Sequence, residues 1–426
     1  MNTAKPKFRL FRFNLKTLLI FMLASGVFLG VVIPRQMRAN RETEAIKAIE
    51  GMVSTGRKQQ DNFEFCYDFQ MPERRPSALS EKMAFVDEES SKTTPQWIRS
   101  TLGENTFSWI EGVRLDTVGI RGLSRSADGI IDQLPSFKSL NRLHLRIGSG
   151  APRDLKKISR IKSLNDLTLE SFLNLGTLEG VQNLRRLETL KLRNVGIKSA
   201  QPLSRMARLR HLEITWCFKL ESLDFLATHS RLESLNVGAF PQITTFDFAQ
   251  LLNNKRLKEL RLQAFNGFSN THLLDSFPEL EQLELIACDG FKSAALIEKA
   301  TPLKKLKLAG CSIESLDKIG ALSQLEEIEI DACNSLRDYQ SLDQLKKLKA
   351  LTLGNMEIGK FPRIDSLPTL EVLEIKDMPE LESIDGIGDI EAPNLISVTI
   401  QDCGLLKYEQ IQRLEDSLPN VRITVR

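Results

Sequence analysis

Leu303–Gln324 reads LKKLKLAGCSIESLDKIGALSQ, and Leu325 opens the same frame again. Its first six positions have the form L-x-x-L-x-L. In a strand, alternate side chains face opposite sides. Leu306 and Leu308 therefore point together to one face, and Lys305, Lys307 and Ala309 to the other. The second half is apolar at every third position, Ile313, Leu316, Ile319 and Leu322, and leads back to Leu325. One such coil cannot bury this much apolar surface alone, so successive coils must stack.

Outward from this stretch, the frame occurs thirteen times, from Leu140 and Leu164 to Leu395 and Leu418, at intervals of 22–25 residues. Ile110-x-x-Val113-x-Leu115 reads as a degenerate earlier copy. The period predicts an α/β repeat solenoid. A parallel β-sheet of about 13 strands forms its concave side, and loops with short helical or 3₁₀ pieces form its convex side. The rhythm and the return segment IESLDKIGALSQ resemble the leucine-rich repeat, in the short bacterial class exemplified by internalins, which implies a horseshoe. The chain departs from that class at the ninth position of each frame, where Asn usually caps the loop. Here the position holds residues such as Phe172, Val195, Phe265 and Met356, and no Asn ladder exists. In this it resembles cysteine-containing repeats.

Five of the six cysteines (Cys217, Cys288, Cys311, Cys333 and Cys403) occupy that ninth position. A free Cys is a small buried hydrophobe, so the repeat accounts for their placement as structural thiols. Cys288, Cys311 and Cys333 fall on consecutive turns, about 4.8 Å apart, a spacing that leaves pairing geometrically open.

The first 41 residues contain eight Lys or Arg and no Asp or Glu. Without them the formal net charge of +3 becomes an excess of 55 acidic over 50 basic residues. A folded body with that balance is not built for nucleic acid. Residues 17–34 hold the uncharged, mostly apolar run TLLIFMLASGVFLGVVI followed by Pro34, the short end of what spans a bilayer. Five basic residues precede it and three follow closely, so residues 1–16 are expected to remain cytoplasmic while the body crosses. This makes the run a single transmembrane helix that precedes the repeats. A cleaved signal peptide is the competing reading. Gly26 and Gly30 form a GxxxG spacing, a candidate for dimerisation of two anchors, although small residues that merely tolerate lipid read the same way.

Between anchor and repeats, residues 35–106 read as a juxtamembrane helix over 42–56, a strand over 63–69, a tether over 71–95 and an N-terminal cap. Repeats occupy 107–407, and 408–426 form a C-terminal cap with a helix over 408–417 and a closing strand. The start FRFNLKTLLI, the EAIKAIEGMV helix, PQWIRSTLGENTFSWIEGVRL before the repeats and the ending SLPNVRITVR resemble membrane-anchored leucine-rich repeat proteins of planctomycete bacteria. The resemblance implies an exported, tethered solenoid and carries over no catalytic residues.

No nucleotide-binding, metalloprotease or nucleophile-elbow motif is present, and only four His occur. His144 and His211 fall on the concave face three turns apart, too far for one metal ion. No catalytic, metal or cofactor residue is expected. The central concave column alternates in sign over Arg261, Glu284, Lys307 and Glu329, and Lys191 stands beside Glu213. Such ladders satisfy one another. Candidate interaction residues are Arg142, Arg146, Arg193, His211 and Trp216, because Arg and Trp are common interface anchors.

The expected function is a non-enzymatic protein–protein interaction scaffold tethered to the cytoplasmic (inner) membrane and displayed outside it. Its partner is an unknown protein or envelope polymer. The alternatives are a structural or self-associating envelope protein, and a substrate-receptor-like subunit resembling the cysteine-containing repeats of ubiquitin ligases.

Overall fold

The computed structural model describes residues 131–148 and 151–426, together with strands β1 (Phe63–Tyr67) and β2 (Ile110–Asp116) and a few isolated positions before Ile131. The expected anchor at 17–34, the Gly26/Gly30 pair, the basic tail and the 71–95 tether lie outside the described residues. Among the described residues no helix is long and apolar enough to cross a membrane. Residues 115–119 and 142–426 form one compact unit.

In chain order this unit carries β3 (Arg142–Arg146), β4 (Asp166–Glu170), β5 (Thr189–Arg193), β6 (His211–Thr215) and β7 (Ser234–Gly238). Then come β8 (Thr245–Asp247), β9 (Glu259–Gln263), β10 (Gly267–Ser269), β11 (Gln282–Ile286), β12 (Lys305–Ala309) and β13 (Glu327–Asp331). β14 (Ala350–Gly354), β15 (Val372–Lys376), β16 (Ser397–Gln401) and β17 (Arg422–Val425) complete the set. All but β8 and β10 follow one another in a single parallel sheet, which gives thirteen strands from β3 to β17.

The register explains why the leucine frame recurs. Leu306 pairs with Leu283 on one side and Ile328 on the other, and Leu308 with Leu285 and Ile330. All six side chains are buried. Aliphatic residues thus stack on aliphatic residues, turn after turn. The return arm closes the other wall, with Ile313, Leu316, Ile319 and Leu322 buried as well. These arms are mostly short 3₁₀ segments, such as Gln201–Arg205, Asp224–Thr228 and Ile319–Ala321. A turn of 22 or 23 residues has no room for a longer helix after its strand and two bends. At the end of the stack, Tyr408–Ser417 is helical and β17 pairs with β16.

One irregularity was not expected. β8 and β10 form a separate two-stranded parallel sheet. Phe246 makes edge contacts with Phe248 and Phe265, with ring centroids 5.2 and 5.4 Å apart, and Phe248 and Phe265 both reach Phe268. The large rings fill the wider turns at this point in the stack.

Each concave strand from β4 to β16 ends in a left-handed residue: Ser171, Asn194, Trp216, Ala239, Ala264, Ala287, Gly310, Ala332, Asn355, Asp377 or Asp402. Its N–H donates to the last strand carbonyl of the next turn, as from Ala287 to Ala309 and from Gly310 to Asp331. The chain therefore bends sharply inward without leaving a buried donor unpaired. The bend sets the next residue, the ninth of the frame, pointing into the core. For a non-glycine residue this conformation costs about 1–2 kcal/mol.

The bend yields a stability prediction with a fixed sign. A Cβ on Gly310 would meet nothing nearer than 3.8 Å, so Gly310→Ala introduces backbone strain and little else. It should lower the unfolding free energy by about 1 kcal/mol in urea titrations, whereas Ala332→Gly should leave it unchanged or raise it. A stabilising Gly310→Ala would contradict the assigned bend.

Candidate functional site

The outward residues of successive strands build the concave surface. Arg193 donates two hydrogen bonds to the Glu213 carboxylate, one of them 2.9 Å long from Nη2 to Oε2. Lys191 stands opposite Glu213 in register, yet Glu213 is held by Arg193, whose planar fork fits both carboxylate oxygens. Arg146 Nε lies 3.0 Å from Glu170, and His144 Nε2 lies 3.8 Å from the same carboxylate. Farther along, Arg261 meets Glu284 at 2.8 Å, and Glu329 receives Lys307 and Lys376 at 2.8 and 2.9 Å. The alternating ladder read from the sequence therefore exists as ion pairs. Exposed pairs of this kind are each worth about 0–1 kcal/mol.

An open groove of about 380 Å³ crosses β4 to β11, with Asp166, Lys191, His211, Glu213, Arg261 and Glu284 in its walls. Burial pushes the Asp166 carboxyl above its usual range, against the opposing pull of Lys191, Arg142 and His211. Of the five candidate residues only His211 lines this groove. Arg142 and Arg146 are on β3, Arg193 is engaged with Glu213, and Trp216 lies beyond the end of β6. The groove has polar walls and no enclosed chamber. Two of its four carboxylates, Glu213 and Glu284, are committed to ion pairs. It suits hydrogen bonding to an extended or surface partner better than it suits chemistry. Among the described residues no group of three His, Cys, Asp or Glu is placed to hold a metal ion.

The edge where the strands end is different. Trp216 follows β6 in the left-handed conformation with φ 59°, and it is 53% exposed. Phe218 is 49% exposed, and its ring packs edge-on against Trp216 with centroids 6.1 Å apart. Leu173, at the equivalent position two turns earlier, is 44% exposed. Gly196 occupies that position in the turn between, where a Cβ would collide with the Leu173 carbonyl. The result is an apolar patch with a gap in its middle. Sequence reading found Trp216 and missed Leu173 and Phe218, whose only signal was an apolar residue after the core-facing ninth position.

No protein-family model matches the chain, and no curated protein matches it in sequence. Among solved structures, it is similar to an internalin of Listeria monocytogenes at 18% identity and TM-score 0.51, over 77% of this chain and 92% of that one. The fold is the leucine-rich repeat. A leucine-rich repeat protein of Leptospira interrogans aligns at 17% identity and TM-score 0.48, over 68% of this chain and 80% of that one. The functional domain of InlJ from Listeria monocytogenes, described as including a cysteine ladder, aligns at 16% identity and TM-score 0.37, over 63% and 70%.

In this leucine-rich repeat the five cysteines among the described residues, Cys217, Cys288, Cys311, Cys333 and Cys403, are free thiols, the first four of them buried. Each donates to the strand that precedes it or to the one before: Cys311 Sγ to the Leu285 carbonyl at 3.3 Å, Cys333 Sγ to the Asp331 carbonyl at 3.3 Å. A thiol S–H is a weak donor, so each of these bonds ties the ninth position to a strand only loosely. Burial pushes the Cys217 thiol up to about 12. Hydrogen bonding to Cys311, reinforced by burial, pushes Cys288 and Cys333 up.

His229 is only 3% exposed, its Nε2 has no hydrogen-bond partner, and its ring stands edge-on to Phe225. Burial drives its pKa down from 6.5 to about 4. The folded value lies below the unfolded one, so stability is intact above pH 6.5 and is lost as pH falls from there through about 4. The loss is roughly 3 kcal/mol at most. Urea titrations from pH 7 to pH 4 should show this decline, and His229→Leu should flatten it. An equal decline in the variant would mean that other groups control acid stability.

Proposed function

We propose that the chain is a non-enzymatic protein-interaction scaffold, held at the cytoplasmic membrane by residues 17–34 and displayed on the outer side of it. The observation that carries the binding reading is Trp216. A bulky residue in the left-handed region is a genuine outlier. Backbone strain of this kind, about 1–3 kcal/mol, persists where the surroundings enforce it and clusters at sites with a function. Here the strained residue spends its largest apolar surface on solvent, beside a second exposed aromatic ring and one residue past Thr215, which stands opposite Arg193 in register. Trp is among the residues most enriched in interface anchors. The tether and the compartment rest on the apolar run, its basic flanks and the resemblance to anchored leucine-rich repeat proteins.

The two requirements on Trp216 pull in opposite directions, which makes the proposal testable. Trp216→Gly should raise the unfolding midpoint, because glycine relieves the bend, and should remove from membrane pull-downs the proteins that the parent chain retains. A lower midpoint, or an unchanged set of bound proteins, would contradict the reading. For the tether, alkaline phosphatase fused after residue 41 and at Arg426 should be active at both points. Inactivity at both would place the body on the cytoplasmic side.

A further inference from the structure

On the edge where the strands begin, two neighbouring columns treat charge in opposite ways. The residue just after each frame leucine alternates in sign over nine turns: Glu188, Arg210, Glu233, Lys258, Glu281, Lys304, Glu326, Lys349, Glu371. The backbone ties this column together turn to turn, with Arg210, Glu233 and Lys258 N–H each 2.8 Å from the preceding member's carbonyl. The side chains pair too, Arg210 with Glu233 at 2.6 Å and Lys304 with Glu281 at 2.8 Å. The residue just before each frame leucine does not alternate. Over four consecutive turns it is Arg186, Arg208, Arg231 and Arg256.

All four of these arginines are exposed, and none takes part in an ion pair or side-chain hydrogen bond among the described residues. They stand on turns about 4.8 Å apart, well inside the screening length of about 8–10 Å, so they repel one another. Glu188 and Glu233 lie beside them but are already shared with Arg210. Arg208, Arg231 and Arg256 border a recess of about 290 Å³ whose floor is this Glu–Arg–Glu set. The row ends at Glu279 in the next turn. A column that could have neutralised itself, as its neighbour does, instead keeps four unpaired guanidinium groups in line on a body that is acidic outside its first 41 residues.

We propose that this arginine row is a docking site for an extended acidic polypeptide segment, separate from the Trp216 edge. Guanidinium forks match carboxylates in geometry as well as charge. The three gaps between four turns span about 14 Å. An extended peptide presents alternate residues on one face every 6.6–6.8 Å, so three acidic side chains in the pattern E-x-E-x-E cover about 13 Å, the length of the row. The recess favours an inserted chain over a flat lipid surface, and the net acidity of the body disfavours nucleic acid.

The test uses the full-length chain and a fluorescein-labelled alternating Glu-Ser nonapeptide, read by anisotropy. The peptide should bind, and binding should weaken with added salt. The double variant Arg208→Gln/Arg231→Gln should lose at least tenfold in affinity, while Lys347→Gln/Lys349→Gln, on a distant part of the same edge, should not. Arg208→Glu/Arg231→Glu should instead bind an alternating Lys-Ser peptide. A heparin oligosaccharide and phosphatidylserine vesicles serve as competing probes. No peptide binding, peptide binding equal in the Gln double variant, or row-dependent binding of heparin or vesicles without the peptide would each overturn the proposal. Because Trp216 lies on the opposite edge, its substitution should leave peptide binding intact, and failure of one site is distinguishable from failure of the other.

Discussion

Leu306 sits in register between Leu283 and Ile328, and the same contact recurs from one turn to the next along the sheet. Removal of these side chains from water is the main stabilising contribution, about 1.5–3 kcal/mol for each aliphatic side chain fully buried. No turn can obtain it alone, because each supplies only half of every contact. The repeat length, the parallel pairing and the short return arms all follow from the need to present the next turn with an identical apolar face. The alternation of the strand then leaves the outward residues free to vary, which is why charge patterns and exposed apolar residues can differ from turn to turn on the concave face and its two edges.

The bend after each strand is the second element on which the architecture depends. It returns the chain from the sheet to the core-facing ninth position in a single residue, and it does so through a conformation that L-residues resist. Eleven consecutive turns make this bend, and ten of them, all but Gly310, bear that cost. Asn and Asp at four of them tolerate it through short polar side chains, and Ala at four others offers little bulk to clash. Trp216 has neither excuse. Its exposure converts a structural oddity into an argument about binding.

Much of this was legible in the sequence. The spacing of Leu140 to Leu418 gave the strand number and the parallel order, because burial with a fixed period admits few other solutions. The core-facing ninth position was equally visible, and Cys217, Cys288, Cys311 and Cys333 are buried as free thiols. Pairing on the concave face was harder. Register placed Lys191 beside Glu213, but the longer planar reach of Arg193 captured that carboxylate. The left-handed bends at Trp216, Ala239, Ala264, Ala287 and Ala332 escaped notice because Ala and Trp carry no turn signal, and the Ser, Asn, Gly or Asp of the other six stands between a strand and a core-facing position rather than in a turn-like cluster. The β8–β10 sheet escaped because Thr245–Asp247 and Gly267–Ser269 lie between frames, where composition alone does not distinguish strand from loop. The exposed patch of Leu173 and Phe218 escaped because an apolar residue one step past a core position looks like more core.

The most direct test of the stacking account is a pair of internal deletions read by circular dichroism and urea unfolding. Removal of 303–324 excises one whole turn and brings Leu325 into the place of Leu303, so the inward column stays continuous. That chain should keep its β signal and a cooperative transition. Removal of 303–313 takes out half a turn and should abolish both. If the whole-turn deletion unfolds the chain as completely as the half-turn deletion does, the turns are not interchangeable units and the stacking account is wrong.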